Sequence, residues 1–342
     1  MFEALTALLD KNLPFVVFRK PYSKEIQLYF QEDDQLHLTQ DFSESGFIMA
    51  PFIATDFYSY IPKKNNQIFP LEENKTLHNT DVLIKDRNEK PFISLVQKGL
   101  DEFKNSTLKK VVLSHAIKIG VKKSNSKQTF KNLTKLYPSA FVYYWHHPST
   151  GSWMGATPER FASFQNNKLH TIALAGTSLV DEDFEAEWSS KEIKEQQLVT
   201  DSIDHSLKSI FPKATVIVGE VSSVRAGALW HLKTDVVIES TELSLSEIIK
   251  ALHPTPAVGG VPKKKSIDFI LKNEDYDRKF YTGFLGLFDS NLMADLYVNL
   301  RCAEITPLGY TLYVGAGITP QSDPIKEWEE TQRKAETFCR AL

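Results

Sequence analysis

"AFVYYWHHPSTGSWMGATPERFASFQ", residues 140–165, decides the fold. Three β-like runs, AFVYYWHH, SWMGAT and RFASFQ, succeed one another with only turn residues between them. Strands clustered in this way pair antiparallel, whereas strict βαβ alternation would put a helix in each gap. The pattern returns in LHTIALAG, ATVIVGEV and DVVIES, and again in FLGLFDS, ADLYVNLRCAEI and YTLYVGAGI. Helical candidates fall between the clusters, at residues 85–105, 181–211, 244–253 and 323–342. The fold class expected is therefore α+β with large antiparallel or mixed sheets, not a doubly wound fold. Residues 1–85 are more polar, and no flexible linker sets them apart. They are expected to complete the sheets of a single domain spanning 1–342.

The net charge is −3, from 40 basic and 43 acidic residues, and no like-charged block is long enough to bind nucleic acid. Lys263–Lys265, the longest basic run, reads as a solvated loop. Cys302 and Cys339 are the only cysteines. Two thiols make neither a disulfide framework nor a zinc site, so a reducing compartment is expected. The opening MFEALTALLDKNLPFVVF reads as an amphipathic helix followed by a strand, not a signal peptide. No apolar run approaches a membrane span. The expectation is a cytoplasmic monomer without a membrane partner.

Chemistry is concentrated in a few segments. In LKKVVLSHAIKIG, Leu108–Gly120, strand alternation puts Lys110, Val112 and Ser114 on one face and Lys109 on the other. Lys110 is either a strand-end charge or a base looking into a pocket. In SDPIKEWEETQRK, Asp323 fits a helix N-cap and Pro324 the first helical position. Glu327, Glu330 and Lys334 then share one face, as a Mg²⁺ site or as a solvated acidic face with a Glu330–Lys334 pair. Glu195 lies beside the apolar stripe of the longest helix, where a carboxylate needs a partner. GATPER, Gly155–Arg160, reads as a tight turn whose Glu159 is either solvated or buried enough to act as a general acid.

ALAGTS, Ala173–Ser178, is expected to end a strand in a turn where Gly176 and Thr177 meet an anion. GAGI, Gly315–Ile318, repeats that logic. LHPTPAVGGVP, Leu252–Pro262, is a rigid loop suited either to close approach or to a structural turn. Arg301 alternates with apolar residues on a strand, and facing inward it would grip a carboxylate. His231 in LWHL reads as a satisfied core histidine. No glycine-rich dinucleotide or P-loop pattern is present.

Taken in order, KVVLSH, GATPE, ALAGT, KEIKEQQLV, LWHL, LHPTPAVGG, YDRKFYTGFLG, LYVNLRCAEI, YVGAGI and SDPIKEWEETQRK resemble the chorismate-utilising enzymes. That family includes isochorismate, salicylate and anthranilate synthases and aminodeoxychorismate synthase. The resemblance covers about residues 100–342, leaves 1–100 divergent, and runs closest to isochorismate synthase. It implies two large, mostly antiparallel sheets packed face to face with outer helices. It also implies a Mg²⁺ on Glu195 and Glu330, with Glu327 close by, holding the ring carboxylate of chorismate. Gly176 and Thr177 match the turn that contacts that carboxylate. Arg301, Tyr281 and the backbone of Gly315–Gly317 match the positions that hold the enolpyruvyl carboxylate. Lys334 adds positive charge, and His231 joins the substrate-binding set.

Ammonia-using members carry Gln where Lys110 stands. Water must lose a proton as it attacks, so a lysine base fits water as the nucleophile. The resemblance thus implies an isomerase: Lys110 activates water for C2, and Glu159 protonates the departing C4 hydroxyl. Ala175 stands where aminodeoxychorismate synthases carry a nucleophilic lysine, and no glutamine amidotransferase subunit is expected. Salicylate synthase, which also eliminates pyruvate, and a non-catalytic binding paralogue remain the alternatives. His115 and Gln196 depart from the family's usual Arg and His, and the choice between menaquinone and siderophore synthesis stays open.

Overall fold

The computed structural model describes residues 1–53, 55–72, 88–120, 125–179, 187–226, 229–290 and 293–342. In chain order the elements are α1 (Phe2–Asp10), β1 (Phe15–Arg19), β2 (Glu25–Phe30), β3 (His37–Thr39), β4 (Ser45–Ala50), β5 (Tyr58–Pro62), β6 (Asn65–Pro70), α2 (Glu89–Asn105) and β7 (Lys110–Gly120). There follow α3 (Ser126–Leu136), β8 (Phe141–His147), β9 (Gly151–Thr157), β10 (Arg160–Gln165), β11 (Lys168–Leu179), α4 (Ser190–Ile210), β12 (Thr215–Ala226) and β13 (Leu229–Glu239). The chain closes with α5 (Leu245–Leu252), β14 (Gly260–Val261), α6 (Lys263–Asn273), β15 (Phe284–Asp289), β16 (Met293–Val298), β17 (Cys302–Thr306), β18 (Gly309–Ile318) and α7 (Pro324–Cys339).

Among the described residues the strands form two nine-stranded sheets, β14-β7-β18-β17-β9-β8-β1-β2-β6 and β12-β13-β11-β10-β16-β15-β4-β5-β3. The sheets pack face to face. Val16, Phe18, Tyr143, Trp145 and Trp153 of the first meet Phe47, Met49, Leu285 and Tyr297 of the second. Successive strand residues point to opposite faces, so Phe15, Val17, Val142 and Tyr144 pack outward, with buried residues of α1, α3 and α7 in the same cluster. The outer face of the second sheet packs against α4 and α5 through Val199, Ile203, Ile248 and Leu252. Apolar cover on both faces is why the strands read as nearly continuous apolar runs.

The N-terminal helix and strand, β7 to β10 and α7 match the sequence reading. The helix predicted from residue 85 is seen from Glu89, and 85–87 lie outside the described residues; likewise the long helix starts at Ser190, with 181–186 outside them. Three segments differ, the first being Ser126–Leu136, which forms α3 where no helix was expected. Lys263–Lys265 opens helix α6 rather than a loop. ADLYVNLRCAEI is not one strand, because β16 and β17 belong to different sheets. No described helix is long and apolar enough to cross a membrane.

Candidate active site

Among the described elements the chain changes sheet six times, and two of these crossings lie side by side. Pro158 and Glu159 join β9 to β10, and Asn299–Arg301 join β16 to β17. Val298 N donates to Glu159 O at 3.0 Å, Ala156 N to Arg301 O at 3.2 Å, and Thr157 Oγ1 to Val298 O at 2.6 Å. Arg301 adopts φ +49°, a left-handed conformation uncommon in a non-glycine residue. It is a crossing residue and not the mid-strand residue expected. Glu159 is likewise set at a sheet-to-sheet corner.

Both residues line one pocket, together with Lys110, Glu195, Glu330 and Lys334. Gly176, Thr177, His231, Tyr281, Gly315 and Gly317 complete the set singled out from sequence. Glu327 is buried but does not line the cavity. Three lysines meet the three helix carboxylates. Lys110 Nζ lies 3.0 Å from Glu195 Oε1, Lys191 Nζ 2.6 Å from Glu327 Oε1, and Lys334 Nζ 2.6 Å from Glu330 Oε1. Lys334 also donates to Gly315 O at 3.0 Å. Lys109 is exposed, as alternation from Lys110 requires.

Local sequence places these groups. Asp323 caps α7 by accepting from Ile325 N and Lys326 N, with Pro324 next. A Ser189–Glu192 capping box starts α4 and sets the face that presents Glu195. ALAGTS does not end a strand. Instead β11 continues through a bulge, where Gly176 and Thr177 oppose the single residue His231. Gly176 takes φ +72°, which glycine adopts without penalty. GAGI is not a turn either: it is the end of β18, in register with Val111–Ser114 of β7. Its glycines serve close approach. A Cβ on Gly317 would collide with Glu195 Oε1 and lie 3.3 Å from Lys110 Cε, and one on Gly315 would lie 3.0 Å from Tyr281 Oη.

Burial pushes the Glu159 carboxyl up to about 7, although Lys110, Lys334 and Arg301 pull the other way. Burial raises Glu327 to about 7 as well, helped by Glu330 and opposed by Lys191. Burial also acts upward on Glu330, but its bond to Lys334 prevails and holds it below the ordinary carboxylate value. His231 is lowered to about 4, by burial first and then by Arg301 and Lys334, and is neutral at pH 7. Its Nδ1 lies 2.9 Å from Gly176 O, which can only accept, so the proton is assigned to Nδ1. Nε2 is then a buried acceptor without a described partner. His231 is thus not the satisfied core histidine expected.

Both departures lie outside the cavity. His115 stacks on Trp328 at 5.0 Å and contacts Thr331 Oγ1 at 3.0 Å. Gln196 turns to the sheet, donating to Ala173 O and Thr234 Oγ1 at 3.0 Å each. Sequence reasoning missed the apolar walls: Val112, Leu174, Val258, Leu300 and Val314. Alternation from Lys110 points to Val112, whereas Leu300 has no local signal.

A family model described as "Chorismate binding enzyme" matches residues 53–342. Over 258 residues the chain is 31% identical to the isochorismate synthase MenF of Haemophilus influenzae, covering 72% of this chain and 59% of that protein. It is 28% identical to the isochorismate synthase DhbC of Bacillus subtilis, covering 72% of this chain and 66% of that protein. The chain thus spans less than two thirds of either relative. The crystal structure of DhbC from Bacillus anthracis superposes with a TM-score of 0.82 at 25% identity, covering 98% of this chain and 99% of that one. The menaquinone-specific isochorismate synthase MenF of Escherichia coli shares the fold, with a TM-score of 0.79 at 20% identity over 96% and 88% of the two chains.

Proposed function

The chain belongs to the chorismate-binding enzyme family, and from that premise we propose that it is an isochorismate synthase, an isomerase acting on chorismate. The observation that carries this reading is a buried lysine and a proton-holding carboxyl lining one chamber, Lys110 and Glu159. Lys110, released from Glu195 and present as the neutral amine, takes the proton from water as oxygen bonds to C2. The ring double bonds shift, and the C4 hydroxyl leaves as water with the proton of Glu159. One water enters and one departs, so the formula is unchanged. A carboxyl held near 7 retains its proton at the moment it must give it away. Arg301 and Lys334 give the chamber the charge that a dicarboxylate needs, and Arg301 offers a planar fork. His231 Nε2, buried and without a described partner, would accept a hydrogen bond from a substrate hydroxyl.

The donor set suits Mg²⁺, since Glu195, Glu330 and the neighbouring Glu327 offer hard carboxylate oxygens. Among the described residues no three His, Cys, Asp or Glu side chains converge on one point, and each of these carboxylates is instead held by a lysine. A cation bound there would displace those ammonium partners, and it would orient and neutralise the ring carboxylate. The protein is proposed to work as a cytoplasmic monomer, its two cysteines buried and unpaired. Its product would feed menaquinone or catechol-siderophore synthesis.

The test is chorismate turnover with Mg²⁺ and without ammonia, with products separated by chromatography and Lys110→Gln run beside the wild type. Isochorismate from the wild type alone supports the reading. Salicylate with pyruvate would move it to salicylate synthase, and no consumption would leave a binding paralogue.

A further inference from the structure

The motif YDRKFYTGFLG brings Tyr281 to the chamber but leaves its arginine unexplained. Arg278 is 3% exposed and forks onto Glu274: Nη2 donates to Oε1 at 2.5 Å and Nε to Oε2 at 2.8 Å. A buried ion pair is weak support for stability in itself, because desolvation offsets its attraction. The other bonds of this pair all go to one place.

Strand β7, which carries Lys110, has β18 on one side and only the two-residue β14 on the other. Around β14 the loop serves the edge directly: Lys109 N donates to Val261 O at 2.8 Å and Val112 N to Gly259 O at 2.9 Å. Beyond that point no described strand pairs with this edge. There Arg278 Nη2 donates to Val112 O at 2.7 Å, and Glu274 Oε1 accepts from Ser114 N at 2.8 Å. The guanidinium stands in for a peptide N–H and the carboxylate for a peptide C=O. Helix α6 makes this possible, since it leaves β14 and returns the chain to the same edge with Glu274 as its C-cap. Arg278 Nη1 also donates to Val258 O, 3.1 Å away in the chamber wall, and Arg278 O accepts from Tyr281 N at 2.8 Å.

We infer that the Glu274–Arg278 pair is a positioning element: it completes the edge of β7 in place of a strand and so fixes Lys110, Val112 and Val258 against bound substrate. Only its kinetic consequence rests on the isochorismate synthase reading. The edge itself is tested without substrate.

The experiment compares Arg278→Lys, Glu274→Ala and Ser114→Ala by amide hydrogen exchange of the peptide covering β7 and by chorismate kinetics with Mg²⁺. Lysine cannot bridge Val112 O, Val258 O and Glu274 at once. Ser114→Ala deletes the hydroxyl bonds to Glu274 and Tyr276 but keeps the Ser114 amide on Glu274. In the first two variants exchange at Ser114 should quicken at least about tenfold. Their kcat should fall by about tenfold to a hundredfold with KM within about threefold, because a displacement on the order of 1 Å at a reacting group has that cost. Ser114→Ala should stay within about twofold of wild type in both readouts.

Unchanged exchange at β7 overturns the inference, as does intact kcat despite faster exchange. Should Arg278→Lys not fold, Glu274→Ala decides alone, and failure of both to fold makes the pair a plain stability element and refutes the positioning role. If the wild type consumed no chorismate, the functional reading would fall while the exchange result still decided the edge.

Discussion

Lys110 and Glu159 line the same chamber, and the chain holds them by opposite means. Lys110 begins a regular strand whose backbone is bonded on both edges, and its Nζ lies 3.0 Å from Glu195 Oε1. Glu159 sits in a two-residue crossing between sheets, and no described residue donates a hydrogen bond to its carboxyl. A compensated buried charge is governed by its partner, whereas an uncompensated one is governed by its proton. That contrast fits one group exchanging its partner when substrate and metal arrive, and the other arriving protonated.

The comparison breaks most sharply at the lysine. Lys110→Gln should lower ammonia-free isochorismate formation by about 10⁴-fold, at the upper end of general-base effects, with the circular dichroism spectrum unchanged. Glu159→Gln should cost about 10³-fold in kcat and also leave a pH signature. In the wild type, activity that needs protonated Glu159 should decline as pH rises through about 7. Stability follows the same sign. The folded carboxyl binds its proton more tightly than the unfolded one, so its contribution is full below about 4.5 and is lost as pH rises through about 7. Glutamine mimics the neutral acid, so at pH 8 Glu159→Gln should be more stable than wild type by about 3 kcal/mol, converging with it in acid. Urea titrations at pH 4.5 and pH 8 would show this, and equal differences at both would refute the protonated carboxyl.

A smaller change probes the Lys110 side without deleting the amine. Gly317→Ala puts a methyl against Glu195 Oε1 and Lys110 Cε, so kcat should fall about ten- to a hundredfold with the lysine still present. The smallest effect belongs to the neighbour that alternation turns outward. Lys109→Gln should remain within about twofold in kcat and about 0.5 kcal/mol in unfolding free energy.

Legibility followed locality. Lys110 and Lys109 could be assigned to opposite faces because strand alternation is a backbone property, and the α7 cap and its Glu330–Lys334 pair are set within one helix. Gly176 and the GAGI glycines were recognised as special but misread as turns. A bulge in β11 and a close approach to β18 use the same small residues as a turn, and only the facing strand distinguishes them. The left-handed Arg301 was assigned to a strand because its neighbours alternate like one.

The sequence alone determined which residue types are present and which of them share a strand or helix face, because those follow from backbone periods of two and 3.6. It therefore also determined the α+β class and the set of ionisable groups on offer. Tertiary structure decided which groups meet. The paired sheet crossings bring Glu159 and Arg301 to one chamber, Lys110 and Lys191 find Glu195 and Glu327 from distant segments, and Glu274–Arg278 bonds to β7 in place of a missing strand. None of these contacts has a local period to betray it, since each depends on burial removing the competing water.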